Sequence, residues 1–329
     1  VGESYEDAAI LSMHGKKLNH LPTTVVSHEK TFLLTSGSED IRKIGRMLTE
    51  TGLTDCEVIV GYQLSYPEEN IRILMPEQCV EVTEEGLYTC LIRNPHPQPE
   101  LLTHGRADTC FLRDASGTEG KLRRTPMTKE EVREVSICKL HLTDGAVVYD
   151  IGSGTGSVAV EIAGLSETVH VYAVERKPEA VELLRKNREH FHMDNMEIIE
   201  ALAPEGLEEL PVPTHAFIGG SGGRLMDILQ TLYRKNPHMR IVINAISMET
   251  IAELQEVLEA FPVEDEEILQ MQVNRVKKLG SYHLPQAENP VWICSFTFRE
   301  GETGSMNKVK KALLTEEENG NRKNGEVQR

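Results

Sequence analysis

The sequence predicts an α/β fold, in which a mostly parallel, Rossmann-like sheet of seven strands follows a smaller α/β domain. Within residues 145–261, apolar strand-like runs alternate with segments of helical periodicity, as in a parallel sheet covered by helices. The first of these strands ends in a glycine-rich turn at 150–156. A proline-rich stretch at 94–100, NPHPQPE, separates this region from the one before it.

The second region supplies the elements of the large sheet in chain order. Strands are predicted at 145–151, 168–175, 195–200, 214–219 and 239–244. The helices between them are predicted at about 155–165, 178–192, 222–235 and 247–261. Two further strands near 266–275 and 290–298 have no helical pattern between them, which predicts an antiparallel pair that closes the sheet.

The first 94 residues have the pattern of a small α/β domain rich in antiparallel strands. Strands are predicted at 8–15, 30–37, 56–64, 70–82 and 87–93, with a helix that starts at Ser38. We therefore expect a front domain, a Pro-rich linker, a main domain and a disordered polar tail. Their predicted bounds are 1–94, 95–104, 105–300 and 301–329.

The charge balance limits the kinds of partner. With 35 Lys and Arg against 52 Asp and Glu, the formal net charge is −17, which argues against nucleic acid because phosphate backbones need a positive face. No apolar run approaches the roughly 18–20 residues of a membrane span, so we expect a cytoplasmic protein without a membrane partner. The six cysteines lie far apart and form no CxxC pair, so neither a metal site nor a disulfide framework is expected.

The turn from Asp150 to Gly156 is the strongest chemical signal in the chain. Its glycines let backbone N–H groups at the following helix start approach an anionic group. Dinucleotides and S-adenosylmethionine both use such turns. A dinucleotide fingerprint has glycine or alanine at its sixth position, whereas this chain has Ser157 there. The spacing therefore favours S-adenosylmethionine; the alternative is a tight connection with no ligand.

Further candidates follow the neighbouring strands, at the sheet edge where open α/β folds bind ligands. Glu175 ends the second strand and can accept both hydroxyl hydrogens of a ribose, or can pair with Arg176 or Lys177 on the surface. After the third strand, Leu202 occupies the position where an acid would meet adenine. Only the backbone of Ala203 and an apolar wall would then contact the base.

Two more segments carry candidate chemistry. The fourth strand ends in GGSGG at 219–223, which predicts a close backbone approach to a bulky substrate rather than only a flexible turn. Ahead of the sheet, TKEE at 128–131 has the pattern of a capping box. Capping alone explains Thr128, but its hydroxyl at a helix start is also a candidate cofactor contact.

Seven segments between Thr125 and Ile293 match one family in order. They are TPMTKEEVR, VVYDIGSGTGSVAVE, YAVERKPEAVE, APEGL, FIGGSGG, NAISMET and NPVWI. Together they resemble the decarboxylating corrinoid methyltransferases of cobalamin biosynthesis (the CbiT family). These also form the C-terminal half of the bifunctional precorrin-6Y C(5,15)-methyltransferases (CobL or CbiET). The resemblance implies a class I S-adenosylmethionine methyltransferase fold and S-adenosyl-L-methionine as the cofactor.

The resemblance also implies an activity and a set of residues. The activity is methylation of a precorrin or cobalt-precorrin at carbon 15, with loss of carbon dioxide from the acetate on carbon 12. The implied cofactor-binding residues are Thr128, Gly152, Ser153, Gly154, Thr155, Gly156, Glu175 and Ala203. The substrate candidates are Gly220, Ser221, Gly222 and Arg275. The family further implies a homo-oligomer, a tetramer.

The chemistry suits a site without a strong acid or base, and the sequence identifies no catalytic residue and predicts no metal. The methyl group already sits on a sulfonium leaving group and the electron-rich macrocycle is the nucleophile, so the protein must mainly align the two and exclude water. Cations are still needed for the substrate's other carboxylates. The candidates are Arg123, Arg124, Lys277 and, preferred because we expect it in the final strand pair near the cleft, Arg275.

The front region resembles a different family. YEDAAILSMHGK, LPTTVVSHEKTFLLTSGSEDI and the strands after them are similar to the C-terminal lobe of CbiE, a tetrapyrrole methylase, without the front lobe that precedes it. Carbon-5 methylation would belong to this domain and would need the missing lobe. A second hypothesis treats the chain as a cofactor-binding scaffold, in which the front domain docks a partner and no turnover occurs.

Overall fold

The computed structural model describes residues 6–13, 20–98, 103–116 and 122–301, without the side chains of 115, 116 and 122–124. Its contacts divide the chain into two compact units. One comprises residues 1–127, 154–171 and 179–198, and the other 128–153, 172–178 and 199–329. Residues 302–329 of the predicted tail and 99–102 of the predicted linker lie outside the described residues. The predicted domain bounds stay a prediction.

The front of the chain forms a five-stranded sheet in the order β1-β2-β5-β3-β4. Its elements are β1 (Ala9–Ser12), α1 (Leu21–Ser27), β2 (Lys30–Leu34), α2 (Ser38–Glu50), β3 (Glu57–Tyr62), β4 (Asn70–Leu74) and β5 (Tyr88–Arg93). β1 pairs with β2 in parallel, which was not predicted, and the other neighbours pair antiparallel, in agreement with the predicted richness in antiparallel strands. Leu33, Ile41, Ile44 and Val58 are fully buried in its core, since α2 turns one apolar face to the sheet.

Two predictions in this region are wrong in detail. The strand predicted at 70–82 ends at Leu74, and a 3-10 helix occupies Pro76–Glu81, because Pro76 has no N–H to donate to a strand ladder. Helix α1 was not predicted. Its sequence, LPTTVVS, is rich in β-branched residues, but a proline in the first turn is well placed to start a helix.

The main region begins with two short paired strands, β6 (Asp114–Ser116) and β7 (Leu122–Arg124), and continues with alternating strands and helices. These are α3 (Glu130–Leu140), β8 (Val147–Ile151), α4 (Ser157–Ala163), β9 (His170–Glu175), α5 (Pro178–His190), β10 (Met196–Glu200), β11 (His215–Ile218), α6 (Leu225–Lys235), β12 (Arg240–Ala245) and α7 (Met248–Ala260). Four more strands follow: β13 (Val263–Met271), β14 (Asn274–Leu279), β15 (Tyr282–Ala287) and β16 (Val291–Phe298).

The large sheet has seven strands in the order β10-β9-β8-β11-β12-β16-β13. β11 pairs in parallel with β8 and β12, while β16 runs antiparallel between β12 and β13. This confirms the predicted fold class and the predicted closing pair. The order reverses beside β8, so the carboxyl ends of β8, β9 and β11 form the crevice where open α/β sheets bind ligands.

The sequence analysis missed the strands β6 and β7 and the hairpin of β14 and β15. β14 and β15 form a separate two-stranded sheet, at a place where the sequence pattern predicted nothing between the last two strands. Arg275 lies in β14, not in the closing pair where it was expected. All residues of both strands are exposed, so the alternation that reveals a half-buried strand is absent from this segment.

Within the described residues, no helix is long and apolar enough to cross a membrane. The same residues contain no group of three or more His, Cys, Asp or Glu side chains that could hold a metal ion. All six cysteines are free, and Cys56, Cys79, Cys90 and Cys294 are buried.

Candidate active site

The turn after β8 is anchored to the neighbouring strand by its own backbone. The N–H groups of Gly152 and Ser153 both donate to the carbonyl oxygen of Val174, at 3.0 and 3.1 Å. The Ser153 hydroxyl donates to the fully buried carboxylate of Asp150 at 2.6 Å. Gly152 has a φ of +73°, which favours glycine. These contacts fix the turn at the end of the sheet.

The same turn touches the glycine-rich loop that follows β11. A Cβ built on Gly152 would lie 2.5 Å from the carbonyl oxygen of Gly220 and 2.8 Å from its nitrogen. The N–H of Gly219 donates to the carbonyl oxygen of Ile151 at 2.9 Å. The two glycine segments singled out in the sequence are therefore in direct backbone contact, and only glycine fits at position 152.

The remaining turn residues, 154–156, belong to the first unit. Gly154 and Gly156 have φ values of +58° and +79°, and a Cβ on Gly156 would overlap the side chain of Leu184. The carbonyl oxygen of Thr155 accepts a hydrogen bond from Asn187 Nδ2 at 2.8 Å. The Thr155 hydroxyl is buried and has no hydrogen-bond partner among the described residues. Such a hydroxyl is stabilised when a ligand or water bonds to it.

Asn187 was not identified from the sequence, although it organises this part of the turn. Its amide is fully buried. Oδ1 accepts from the N–H of Leu112 at 2.8 Å, and Nδ2 donates to the carbonyl oxygens of Leu112 and Thr155 at 3.0 and 2.8 Å. One side chain on α5 thus ties the turn to residues about forty positions before it in the chain.

Glu175 lies at the end of β9 with only 8% of its surface exposed. Its Oε1 accepts hydrogen bonds from the backbone N–H groups of Arg176 and Lys177, both at 2.9 Å. Its own carbonyl oxygen accepts from the N–H of Ala201 at 3.1 Å. Glu175 therefore does contact Arg176 and Lys177, as considered from the sequence, but through their backbone N–H groups. Because each carboxylate oxygen can accept more than one hydrogen bond, this anchoring is compatible with ribose binding.

The predicted base-contacting residues follow β10. Ala203 is buried and belongs to the apolar core cluster of the second unit, whereas Leu202 is 38% exposed. The described side chains at 201–204 carry no charge, which is compatible with the apolar wall expected from the sequence.

Thr128 does not cap the helix that follows it, so the capping-box prediction is wrong. α3 begins at Glu130, its N-cap residue is Lys129, and no side chain makes a cap hydrogen bond there. The helix starts one residue later than expected, so Thr128 is not at the N-cap position that a capping box requires. The carbonyl oxygen of Thr128 instead accepts from Nη1 of the fully buried Arg133 at 2.9 Å.

A cavity of about 190 Å³ opens beside the glycine-rich loop, at the carboxyl ends of β11 and β12. The loop, the end of β12 and the first turn of α7 surround it, and none of these lining residues is ionisable. The apolar walls are Ile218, Leu225, Ile243 and Ile246, and the polar groups are Ser221, Asn244, Ser247 and Thr250. Gly220 lines this cavity and also contacts the turn at Gly152.

Among the polar lining residues, only Ser221 was singled out from the sequence. It is 9% exposed, while Gly220 and Gly222 face open space on the surface. Asn244 was missed, although a polar residue at the carboxyl end of a predicted strand is a usable signal. Its amide contacts the buried Ser136 hydroxyl on α3 at 3.0 Å.

The predicted substrate cation lies elsewhere. Arg275 forms an ion pair with Glu131 on α3 at 2.6 Å and another with Glu288 at 3.5 Å, and it does not line the cavity. Lys277 follows in the same exposed strand. The side chains of Arg123 and Arg124 lie outside those that the structure describes. Any contact of these four with a substrate stays a prediction.

The strand order and the site together define a class I S-adenosylmethionine-dependent methyltransferase. Three glycines open the turn after β8, an acid anchored by backbone N–H groups ends β9, and uncharged side chains follow β10, an arrangement that could hold the amino-acid, ribose and adenine parts of the donor. A family model described as "Precorrin methyltransferase domain" matches residues 123–297. Since this match spans more than half of the chain, the protein belongs to the precorrin methyltransferase family.

Known proteins agree with this assignment. A relative from Pyrobaculum calidifontis, named probable cobalt-precorrin-6B C(15)-methyltransferase (decarboxylating), is 38% identical over 51% of this chain and 87% of its own length. The precorrin-6y C5,15-methyltransferase structure from Geobacter metallireducens is 34% identical and covers 59% of this chain and 98% of its own, with a TM-score of 0.53. The precorrin 8w decarboxylase structure from Methanobacterium thermoautotrophicum is 32% identical and covers 58% and 98%, with a TM-score of 0.51.

Proposed function

We propose that this protein transfers a methyl group from S-adenosylmethionine to carbon 15 of a precorrin-type tetrapyrrole, and releases carbon dioxide from the acetate on carbon 12. The observation that carries the proposal is the backbone contact between Gly152 and Gly220. Through it, the turn that fits the methyl donor lies beside the loop and cavity that fit an acceptor. The names of the relatives from Pyrobaculum and Geobacter support the same reaction class.

The proposed cofactor contacts are those predicted from the sequence. Backbone N–H groups of the turn from Gly152 to Gly156 would hold the amino-acid part, Glu175 the ribose, and Ala203 with its apolar surroundings the adenine. Thr128 would contribute from the loop before α3. When bound, the cofactor supplies an electrophilic methyl on a sulfonium. The chain's own task is then to orient both molecules and to exclude water.

The proposed acceptor is a precorrin or a cobalt-precorrin, with Gly220, Ser221 and Gly222 nearest to it. A flat macrocycle needs a surface without protruding side chains, and a Cβ built on Gly220 or Gly222 would meet no atom within 4 Å. The net charge of −17 argues against a nucleic acid as the acceptor.

For the front region, we propose the relationship that its sequence suggests, to the C-terminal lobe of a tetrapyrrole methylase. The five-stranded sheet with one parallel and three antiparallel pairings is compatible with it. Carbon-5 methylation, which the resemblance assigns to this region, would need the lobe that precedes it in that family.

We also propose that the protein forms a homo-oligomer, a tetramer in the related family, through the β14–β15 hairpin. Val276, Leu279 and Tyr282 are 64%, 63% and 72% exposed, and a two-stranded hairpin is marginally stable in water when nothing covers it. The hairpin carries Lys277 and Lys278, while the edge strand β13 carries three consecutive acidic residues at 264–266. This complementarity favours a second copy of the same chain as the partner.

The direct test is incubation of the purified protein with labelled S-adenosylmethionine and either precorrin-6B or its cobalt form. We expect a product that has gained one methyl and lost one carbon dioxide. Stoichiometric cofactor binding with no product from either acceptor would contradict the proposed function.

A further inference from the structure

The cavity beside the glycine-rich loop is too small for a whole substrate. Pockets that enclose small drug-like molecules measure roughly 300–1,000 Å³, whereas this one measures about 190 Å³. It can therefore take one side arm of a tetrapyrrole while the ring stays outside. The position of the cavity favours binding of a side arm inside it and of the ring outside, because Gly220 lines the cavity and also contacts the turn at Gly152.

Ser221 places a polar side chain in the cavity wall. The residue is more than nine-tenths buried, and it lines the cavity. Its backbone carbonyl accepts from the N–H of Arg224 at 3.2 Å, but its hydroxyl makes no hydrogen bond to the described residues. This hydroxyl can therefore donate a hydrogen bond to a ligand in the cavity and also accept one.

Asn244 adds an oriented donor from the end of β12. The Ser136 hydroxyl has one proton, which it donates to the carbonyl oxygen of Val132 at 2.7 Å. Asn244 Oδ1 also lies 3.1 Å from this hydroxyl oxygen. Because the proton is used in the shorter contact to Val132, the oxygen accepts from Asn244 Nδ2, which lies 3.0 Å away. This fixes the amide and leaves its second N–H for a group in the cavity, because an amide nitrogen carries two donors.

The cavity is also notable for the lack of charged side chains in its lining. Its lining, as far as the structure describes it, contains no ionisable side chain. The nearest cation in sequence, Arg224, is paired with Glu205 at 2.5 Å and with Asp227 at 3.1 Å, outside the lining. A carboxylate placed here would receive neutral hydrogen bonds and contact isoleucine walls, without a balancing positive charge.

We propose that this cavity is the subsite for the acetate that is lost as carbon dioxide, with Ser221 and Asn244 as its positioning residues. The inference rests on the function proposed above. The bond between the methylene and the carboxyl carbon breaks, carbon dioxide leaves, and the electron pair enters the conjugated ring. A proton from water then completes the methyl group that remains on the ring.

The absence of a cation from the lining explains why this arm would react while the others persist. Carboxylates paired with Arg or Lys are stabilised as anions. In the uncharged cavity the anion is poorly stabilised relative to the neutral carbon dioxide that it forms. A positive charge added to the cavity should therefore strengthen binding of the arm and slow its decarboxylation.

The test is Thr250→Lys, which places an ammonium in the cavity lining. We expect methyl transfer to continue while carbon dioxide release per methyl falls roughly ten- to a hundredfold, with accumulation of a methylated product that keeps its carboxyl group. Met248→Lys is the matched control. It makes the same charge change in the same helical turn, at a residue that is 74% exposed and does not line the cavity.

A second variant tests the same subsite in case Thr250→Lys does not fold. Asn244→Asp has nearly the same shape but adds a negative charge, so we expect the KM for the acceptor to rise about tenfold without a fall in carbon dioxide per methyl. Unchanged S-adenosylhomocysteine binding by calorimetry would show that the fold is retained.

The two proposals fail differently. If the wild-type protein yields no methylated product, the proposed function is wrong. If the wild type yields both products but Thr250→Lys keeps the wild-type ratio, or Asn244→Asp the wild-type KM, the assignment of the acetate subsite is overturned.

Discussion

A side-chain carbon on Gly152 would lie 2.5 Å from the carbonyl oxygen of Gly220, so the turn after β8 and the glycine-rich loop after β11 are packed backbone to backbone. The distance is shorter than any real Cβ contact, which makes position 152 unable to accept even alanine without a shift of the loop. Because both segments flank the proposed reaction centre, a small local displacement there should alter donor binding.

The first prediction uses this contact. Gly152→Ala should weaken S-adenosylhomocysteine binding about tenfold or more, measured by calorimetry, because the loop or the turn must move. Gly145→Ala is a matched control with the same φ of +73° and no atom within 4 Å of the added carbon. It should cost about 1–2 kcal/mol of stability from backbone strain and leave binding intact. Equal affinities for both variants would contradict the role of the contact.

Glu175 provides the second prediction. In Glu175→Gln the Oε1 atom can still accept from the N–H groups of Arg176 and Lys177, so the fold should persist. The charged acceptor that we propose for the ribose is lost, which corresponds to about 1.5–3 kcal/mol. We therefore expect the Kd for S-adenosylhomocysteine to rise roughly ten- to a hundredfold. Glu197→Gln, at an exposed position on β10, should leave the Kd unchanged; a shared effect would indicate a general charge effect instead.

Asn187 carries the third prediction, on stability. Asn187→Asp keeps the shape but replaces the Nδ2 donor, so that a carboxylate faces the carbonyl oxygens of Leu112 and Thr155 inside a buried site. A buried group without its partners costs about 1–3 kcal/mol, and more when charged. Denaturant unfolding should show at least that loss. Asn274→Asp, in an exposed strand, is the control and should change stability by less than about 0.5 kcal/mol.

The fourth prediction concerns the pH dependence of stability that arises from the contact between Thr51 and His192 in the first unit. His192 Nδ1 bonds to the carbonyl oxygen of Thr51, which makes the ring nitrogen the donor. Burial lowers the pKa of His192 below its usual value, against the opposing effects of the Thr51 carbonyl and Glu189, while His190 lowers it further.

The sign of the pH effect follows from that shift. The unfolded chain takes up a proton at this histidine as the pH falls through about 6.5, before the folded protein does. The stabilisation is therefore present above pH 6.5 and is lost on acidification, by at most about 1.4 kcal/mol per pH unit. His192→Asn retains a donor but does not titrate, so denaturation at pH 7 and pH 5 should show a smaller difference than in wild type. His96→Asn, which removes an exposed imidazole, is the control; an identical pH slope for wild type and His192→Asn would refute the assignment.

The sequence was sufficient for the features that depend on local chemistry. Strands β8 to β12 and their helices follow from periodicity, and the turn from Asp150 to Gly156 follows from glycine spacing. Features that depend on distant partners were not accessible. Asn244 is fixed by Ser136, 108 residues earlier in the chain, and Asn187 bonds to Leu112, 75 residues earlier.

Two local predictions failed for identifiable physical reasons. The motif at Thr128 has the composition of a capping box, but the helix begins at Glu130, which moves the hydroxyl out of register with the N–H groups it would cap. The hairpin of β14 and β15 was missed because both strands are exposed throughout. A strand with no buried side lacks the two-residue alternation on which its recognition depends.

The last prediction tests the hairpin as an interface. Leu279 and Tyr282 are cross-strand partners at the tip of the hairpin and are both largely exposed. Adjacent apolar side chains in such a position stabilise an assembly when a second copy covers them. Tyr282→Glu should therefore shift the assembly to smaller species in sedimentation-velocity runs at micromolar concentration, while S-adenosylhomocysteine binding stays within about twofold. Val212→Glu, at a residue 60% exposed and remote in sequence, is the matched control and should sediment like wild type. A wild-type protein that sediments as a monomer, or a Tyr282→Glu variant with an unchanged distribution, would refute the interface.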